Sequence, residues 1–133
     1  METRKRIARI AFLLYLAAVL FLCFGKFSDM SAMPEQFFGF NIDKVAHFLM
    51  FLPFPILFYM AFHWKTRNVR HSLLLALGIL AIGVLLASGT ELVQFFIPYR
   101  EANLGDLLAD VLALCTSSAL ILPIDLKKLK RNA

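Results

Sequence analysis

The chain has little charge and almost no cysteine. Asp, Glu, Lys and Arg make up 17% of its 133 residues, whereas soluble domains typically contain about 25%. Two cysteines are too few for the disulfide framework that stabilises many small secreted proteins. Apolar residues make up 60% of the chain, which excludes intrinsic disorder and would force a soluble globule to expose large apolar patches. The composition therefore predicts an integral membrane protein.

Four long apolar segments cover most of the chain, at residues 7–24, 45–64, 73–97 and 104–124. A bilayer core of about 30 Å needs roughly 20 helical residues to cross it, and each segment has about that length. Strands of a transmembrane barrel would alternate apolar and polar residues, but runs such as LLLALGILAIGVLLA do not alternate. We therefore predict an all-α, polytopic membrane protein in which residues 1–133 form a single domain, a bundle of four transmembrane helices.

Proline and phenylalanine predict two local features. Pro53 and Pro55 lie inside the second segment, where each removes a backbone hydrogen-bond donor, so this helix should be kinked. The connection at residues 25–44 contains the phenylalanine-rich sequence PEQFFGFN. Because aromatic rings favour the headgroup region of a bilayer, we expect this connection to lie on the membrane surface as a short interfacial segment.

Basic residues are distributed unevenly among the loops. Eleven of the 14 Lys and Arg residues flank one end of the predicted bundle. They are Arg4, Lys5, Arg6, Arg9, Lys65, Arg67, Arg70, Lys127, Lys128, Lys130 and Arg131. Short cytoplasmic loops carry such an excess, so both termini are predicted to be cytoplasmic. Topology and contact with anionic lipid then explain the net charge of +5, and we predict no nucleic-acid partner.

Polar residues enter three of the four segments at a similar depth from the other end. Glu91 lies about six residues before the end of the third segment and Asp110 about six after the start of the fourth, so each is roughly 9 Å deep. His47 lies about one turn into the second segment. Ionisable groups within a span are costly and normally face the bundle interior with a partner. We therefore predict one shared site, with the candidates Asp43, Lys44, His47, Glu91, Gln94, Arg100, Asp106 and Asp110.

Some of these side chains also have a structural interpretation. Asp106 could form a capping box with Asn103 at the start of the fourth helix. Asp43 could complement the helix dipole in the first turn of the second helix. Neither explanation applies to Glu91 or Asp110, which lie further inside the apolar segments.

The sequences DKVAHFLMF and ELVQFFIPYREANLGDLLADVLA, together with the four-helix plan, resemble the VanZ-like family of membrane proteins. Asp110 stands where many relatives carry Asn. The resemblance implies a small multi-pass protein of the bacterial cytoplasmic membrane, in a family associated with low-level resistance to the glycopeptide teicoplanin, but it implies no defined reaction. The positions that match the family pattern are Asp43, Lys44, His47, Phe48, Glu91, Gln94, Pro98, Arg100 and Asp106.

Two functions fit the predicted site. In the favoured one, the protein binds the headgroup of an anionic lipid or lipid-linked cell-envelope precursor, with Lys44 and Arg100 at the rim. In the alternative, a metal-dependent membrane enzyme acts on such a headgroup. The chain has no H-E-x-x-H motif, its catalytic residues stay unassigned, and no cofactor is favoured, although the alternative requires a divalent metal. The metal ligands would then be Asp43, His47, Glu91 and Asp106.

Overall fold

The computed structural model describes residues 1–26, 36–62 and 65–133. Within these ranges, four helical regions are long and apolar enough to cross a membrane, which confirms the predicted all-α, four-span architecture. The second of these regions consists of two shorter helices. The helices are α1 (Glu2–Phe24), α2 (Ile42–Phe51), α3 (Phe54–Phe62), α4 (Val69–Phe95) and α5 (Leu104–Arg131).

The helix ends differ from the ends of the apolar segments for local reasons. α1 already begins at Glu2 and α5 continues to Arg131, because Lys, Arg and Leu favour helix and because cations stabilise a helix C-terminus. α4 ends at Phe95, slightly before the predicted end, since Pro98 disfavours a helical conformation in the residue before it. The predicted end of the second segment, residue 64, lies outside the described residues.

A break at Leu52 and Pro53 separates α2 from α3, which confirms the predicted kink. Pro53 and Pro55 have no N–H to donate, so two carbonyl groups of the preceding turn lose their partners within the helix. Beside the break, the Tyr15 hydroxyl donates a hydrogen bond to the Met50 carbonyl oxygen, 2.6 Å away. This contact fastens α1 to the bend.

The helices pack around α5, which contacts α2, α3 and α4, while α1 contacts α3 and α4. α4 and α5 approach closely at Gly83, because a Cβ added there would lie only 2.6 Å from Leu114 Cδ2. Between α1 and α3, the Phe12 ring centroid lies 5.8 Å from that of Phe54 and 5.6 Å from that of Phe58. α5 therefore contacts both halves of the broken second span as well as α4.

The bundle has an acidic end and a basic end. The acidic end comprises the end of α1, the start of α2, the end of α4 and the start of α5. The basic end comprises the start of α1, the connection at residues 65–68 with the start of α4, and the end of α5. At the basic end, Arg9 Nε donates to the Ala61 carbonyl oxygen at 3.4 Å. The residues predicted to form a site all belong to the acidic end or the loop beside it.

A short hairpin precedes α2 in the connection that the sequence predicts to be interfacial. Strands β1 (Gln36–Phe37) and β2 (Phe40–Asn41) pair antiparallel. Their two-residue turn has positive φ values at Phe38 (50°) and Gly39 (80°), as tight hairpins require. Phe38 is 88% exposed at the tip. Residues 27–35 of the predicted interfacial segment lie outside the described residues.

Candidate functional site

Three helices bring carboxylates and an imidazole together at the acidic end. His47 lies in the second turn of α2, Glu91 lies near the end of α4, and Asp106 and Asp110 lie in the first two turns of α5. The spacing of four puts both aspartates on one face of α5. Asp110 is fully buried, and Glu91 and Asp106 are each 8% exposed. The structure thus brings together four of the predicted residues, one from α2, one from α4 and two from α5.

The imidazole of His47 lies between the two aspartates of α5. Its Nδ1 lies 3.0 Å from Asp110 Oδ1, within hydrogen-bond distance. Its Nε2 lies 3.8 Å from Asp106 Oδ2, beyond the usual N–H···O range of about 2.7–3.2 Å. Because a carboxylate accepts hydrogen bonds, we assign the proton of the neutral imidazole to Nδ1 from this network. Nε2 then presents a lone pair to the Asp106 side of the site.

Glu91 links the end of α4 to the start of α5. Its Oε2 accepts a hydrogen bond from the backbone N–H of Asn103 at 3.2 Å. Asn103 is the N-cap of α5, and its Oδ1 accepts from the Gly105 N–H at 2.7 Å. The predicted capping role of Asn103 is confirmed, but the capping box is wrong, because the N–H that Asp106 would engage donates to Glu91. The Asp106 carboxylate is therefore available to side chains of α2.

Two buried carboxylate oxygens, Glu91 Oε1 and Asp110 Oδ2, have no hydrogen-bond partner among the described residues. A buried acceptor without a partner costs about 1–3 kcal/mol, and more when it is charged. The large majority of buried polar side-chain atoms in proteins do have a partner. Two such oxygens in one cluster therefore fit a ligand from outside the chain.

His47, Glu91 and Asp106 are spaced as ligands of one metal ion are. Each offers one nitrogen or oxygen donor, and the three donors lie within 4.8 Å of one another. Ligands of a single ion lie at most about 4–5 Å apart, given bonds of about 2.0–2.6 Å. One imidazole with two carboxylates suits ions such as zinc or manganese. Three of the four residues in the alternative metal-ligand prediction thus converge.

The two other predicted residues of α2 lie at the edge of this cluster. Within the part of the chain that the structure describes, the converging donors do not include Asp43, which is exposed in the first turn of α2. A carboxylate there complements the helix dipole. Lys44 Nζ lies 3.5 Å from Asp106 Oδ1, and the Lys44 side chain is 36% exposed. Lys44 therefore offsets part of the negative charge on the solvent side.

Gln94 and Arg100 contact the C-terminus of α1. Gln94 Nε2 donates to the Cys23 carbonyl oxygen at 2.9 Å. Arg100 Nη2 lies 2.8 Å from the carbonyl oxygen of Leu22 and 2.7 Å from that of Gly25, and donates to both. Helix C-termini leave carbonyl oxygens without partners and favour nearby cations. These two predicted site residues therefore help to hold α1 against the end of α4.

A second polar cluster, at the basic end, is absent from the sequence predictions. The buried carboxylate of Asp125 accepts hydrogen bonds from the hydroxyl groups of Tyr59 at 2.7 Å, Thr66 at 2.6 Å and Ser72 at 2.6 Å. These bonds join α3, the 65–68 connection, α4 and α5. The available signal is an aspartate in the otherwise apolar sequence LILPIDL. Its hydroxyl partners are uncharged and lie in other segments, so no spacing rule connects them to it.

Comparisons with known proteins agree with the resemblance noted in the sequence. An uncharacterized protein of the fission yeast Schizosaccharomyces pombe is 38% identical over 82 residues, which cover 62% of this chain and 46% of that protein. The chain thus spans about half the length of the curated relative that it matches. No solved structure matches the chain. A family model described as VanZ/LLP1 matches residues 11–124. The chain therefore belongs to the VanZ/LLP1 family of membrane proteins.

Proposed function

We propose that the acidic end binds a divalent cation through His47, Glu91 and Asp106. The cation in turn would hold the phosphate-bearing headgroup of a membrane lipid or lipid-linked cell-envelope precursor. The observation that carries the proposal is the convergence of three donors within 4.8 Å, beside carboxylate oxygens that lack a partner within the described ranges. Hard cations commonly join protein carboxylates to the phosphates of a substrate.

The charge of the site favours a cation over direct contact with an anion. The cluster contains three carboxylates, those of Glu91, Asp106 and Asp110, and the Lys44 ammonium lies 3.5 Å from Asp106 Oδ1. Juxtaposition of like charges is strongly unfavourable, so these carboxylates would repel a phosphate unless a cation lay between them. Arg100, the other cationic candidate, donates hydrogen bonds to carbonyl oxygens at the end of α1. The geometry therefore supports cation-mediated binding better than the directly bound headgroup favoured from the sequence.

Asp110 fits the role of a residue that orients a metal-binding histidine. Its Oδ1 lies 3.0 Å from His47 Nδ1, which leaves Nε2 for the cation, and histidine ligands commonly have such a carboxylate partner. Three protein ligands leave coordination positions open, as in catalytic metal sites. This arrangement favours a second candidate function, a metal-dependent membrane enzyme that cleaves or transfers the headgroup.

We further propose that the acidic end faces the outer surface of a bacterial cytoplasmic membrane, because Lys and Arg are concentrated at the basic end. A protease site inserted at Arg67 is expected to resist protease added to intact cells. The same site inserted in the hairpin turn at Gly39 should be cleaved. Cleavage at Arg67 without cleavage at Gly39 would show that the protein has the opposite orientation, with the basic end outside.

Retention of a phosphate-bearing lipid is expected to depend on the cation. The full-length chain in detergent, supplied with Mn²⁺ or Zn²⁺, should retain a polyprenyl phosphate, and a chelator should release it. The corresponding polyprenol, which has no phosphate, should not be retained, because the cation binds phosphate oxygens. Mass spectrometry of the co-purified lipid measures the retention of each lipid, and the appearance of free phosphate together with the polyprenol would identify the enzyme.

Two variants make this experiment specific to the site. His47→Ala should lose the retained lipid, whereas Asp43→Asn, which changes an exposed carboxylate outside the converging donors, should keep it. Retention that survives chelation, or that is equal for the polyprenol, would argue against a cation-mediated headgroup site.

A further inference from the structure

An apolar cavity of about 490 Å³ lies between α3 and α4 at the basic end, away from the cation site. Its volume is within the range of about 300–1,000 Å³ that is typical of small-molecule sites. The wall includes Leu74, Leu75, Gly78 and Ile82. Because Leu74 and Ile82 remain 54% and 45% exposed, the cavity opens on the side of the bundle that faces the hydrocarbon of the membrane.

The mouth of this cavity is basic. Lys65, Arg67 and His71 line it together with the apolar wall. Lys65 and Arg67 belong to the connection before α4 and are exposed, and His71 lies in the first turn of α4. Cationic side chains at the end of a membrane span lie at the level of lipid headgroups, where they attract anionic lipids.

Hydrogen bonds fix the chain around this mouth. Thr66, which lies between the two cationic residues of the connection, donates from Oγ1 to the buried Asp125 carboxylate at 2.6 Å. Asn68 caps α4, and its Oδ1 accepts from the His71 N–H at 2.9 Å. These bonds hold the backbone on both sides of Arg67. The basic mouth is therefore anchored to α5 and to the start of α4.

We propose that the cavity binds an anionic phospholipid from the leaflet at the basic end. One acyl chain occupies the apolar cavity, and the phosphate contacts Lys65, Arg67 and His71. The charge of this end supports an anionic occupant, because eleven of the 14 Lys and Arg residues lie there. A zwitterionic phospholipid would offer the same acyl chain without a net charge for the mouth. This site is independent of the cation site and needs none of its residues.

The test compares two phospholipids with identical acyl chains, phosphatidylglycerol and phosphatidylcholine. The full-length chain is purified from nanodiscs that contain both in equal amounts, and the retained lipid is counted by native mass spectrometry. We expect one phosphatidylglycerol per chain, favoured over phosphatidylcholine by on the order of tenfold. Absence of retained phospholipid, or equal retention of the two, would overturn the proposal.

Gly78→Leu tests the acyl-chain cavity. A Cβ at Gly78 meets no atom within 4 Å, so this position of the cavity wall has room for a side chain to begin, and leucine suits a helix better than glycine does. Retention of phosphatidylglycerol should fall by on the order of tenfold. Gly89→Leu is the matched control, since Gly89 is on the same helix, has the same free space and lies outside the cavity. Equal retention by the two variants would rule out the cavity as the site.

Two double variants, each of which removes two exposed cationic side chains, test the basic mouth without altering the core. The double variant Lys65→Gln with Arg67→Gln should reduce the preference for phosphatidylglycerol to about that of a neutral surface. Arg4→Gln with Arg6→Gln removes the same charge from exposed positions at the same end and should leave the preference unchanged. A loss of preference in both double variants would mean that the general charge of this end, and not the mouth of the cavity, selects the lipid, which overturns the proposal.

Discussion

Replacing Glu91 with glutamine is expected to weaken divalent-cation binding by more than about 100-fold. The amide has a similar size, and its oxygen can still accept from the Asn103 N–H, but it carries no negative charge for the cation. Residues that merely orient metal ligands already contribute about 10–100-fold to affinity, so a direct ligand should contribute more. Titration calorimetry of the full-length chain in nanodiscs with Mn²⁺ or Zn²⁺ measures the effect.

The matched control is Glu101→Gln. Glu101 lies in the loop at the same end of the bundle and is exposed, so the same chemical change there should leave cation affinity unaltered. If Glu91→Gln binds the cation as tightly as the unmodified chain, Glu91 is not a ligand, and the proposed site would lose one of its two carboxylates.

Replacing Asp125 with alanine is expected to lower the free energy of unfolding by about 3–5 kcal/mol. Three hydroxyl groups, from three parts of the chain, donate to this buried carboxylate. Hydrogen bonds between membrane helices contribute up to about 1–2 kcal/mol each, and the variant also leaves buried hydroxyl groups without their acceptor. Reversible unfolding in mixed micelles of increasing SDS fraction measures the loss.

Glu2→Ala provides the comparison for Asp125→Ala. The Glu2 side chain is 86% exposed, and its ion pair with Lys5 spans 3.9 Å, so its removal should change stability by less than about 1 kcal/mol. Similar losses in the two variants would show that the three hydrogen bonds at Asp125 do not stabilise the bundle.

The sequence predicts the architecture well because the bilayer imposes simple rules on it. Span length and hydropathy locate the four membrane helices, and the missing N–H groups of Pro53 and Pro55 predict the break between α2 and α3. Counting residues from the helix ends also predicts that His47, Glu91 and Asp110 lie at one depth. The structure places these three within one cluster, because helices of fixed rise bring residues of equal depth to the same level.

The direction of individual side chains cannot be predicted in this way. Gln94 and Arg100 lie at the acidic end or in the loop beside it, yet their amide and guanidinium donate to carbonyl oxygens of α1, since the end of that helix has acceptors without partners. Asp43 has helical spacing with His47 but remains exposed. The Asn103 N–H donates to Glu91 of another helix, a contact that local capping rules do not contain. Each difference depends on which neighbouring helix is nearest, and the order of helices around α5 is not encoded in span length or hydropathy.

The most direct test of the central claim is the cation content of the purified full-length chain. After equilibration with Mn²⁺ or Zn²⁺ and removal of unbound metal, elemental analysis by mass spectrometry should find one cation per chain. His47→Ala should contain none, while Asp43→Asn should still contain one, because only the first of these changes removes a converging donor. Absence of cation from the unmodified chain, or equal content in the unmodified chain and His47→Ala, would contradict a metal site formed by His47, Glu91 and Asp106.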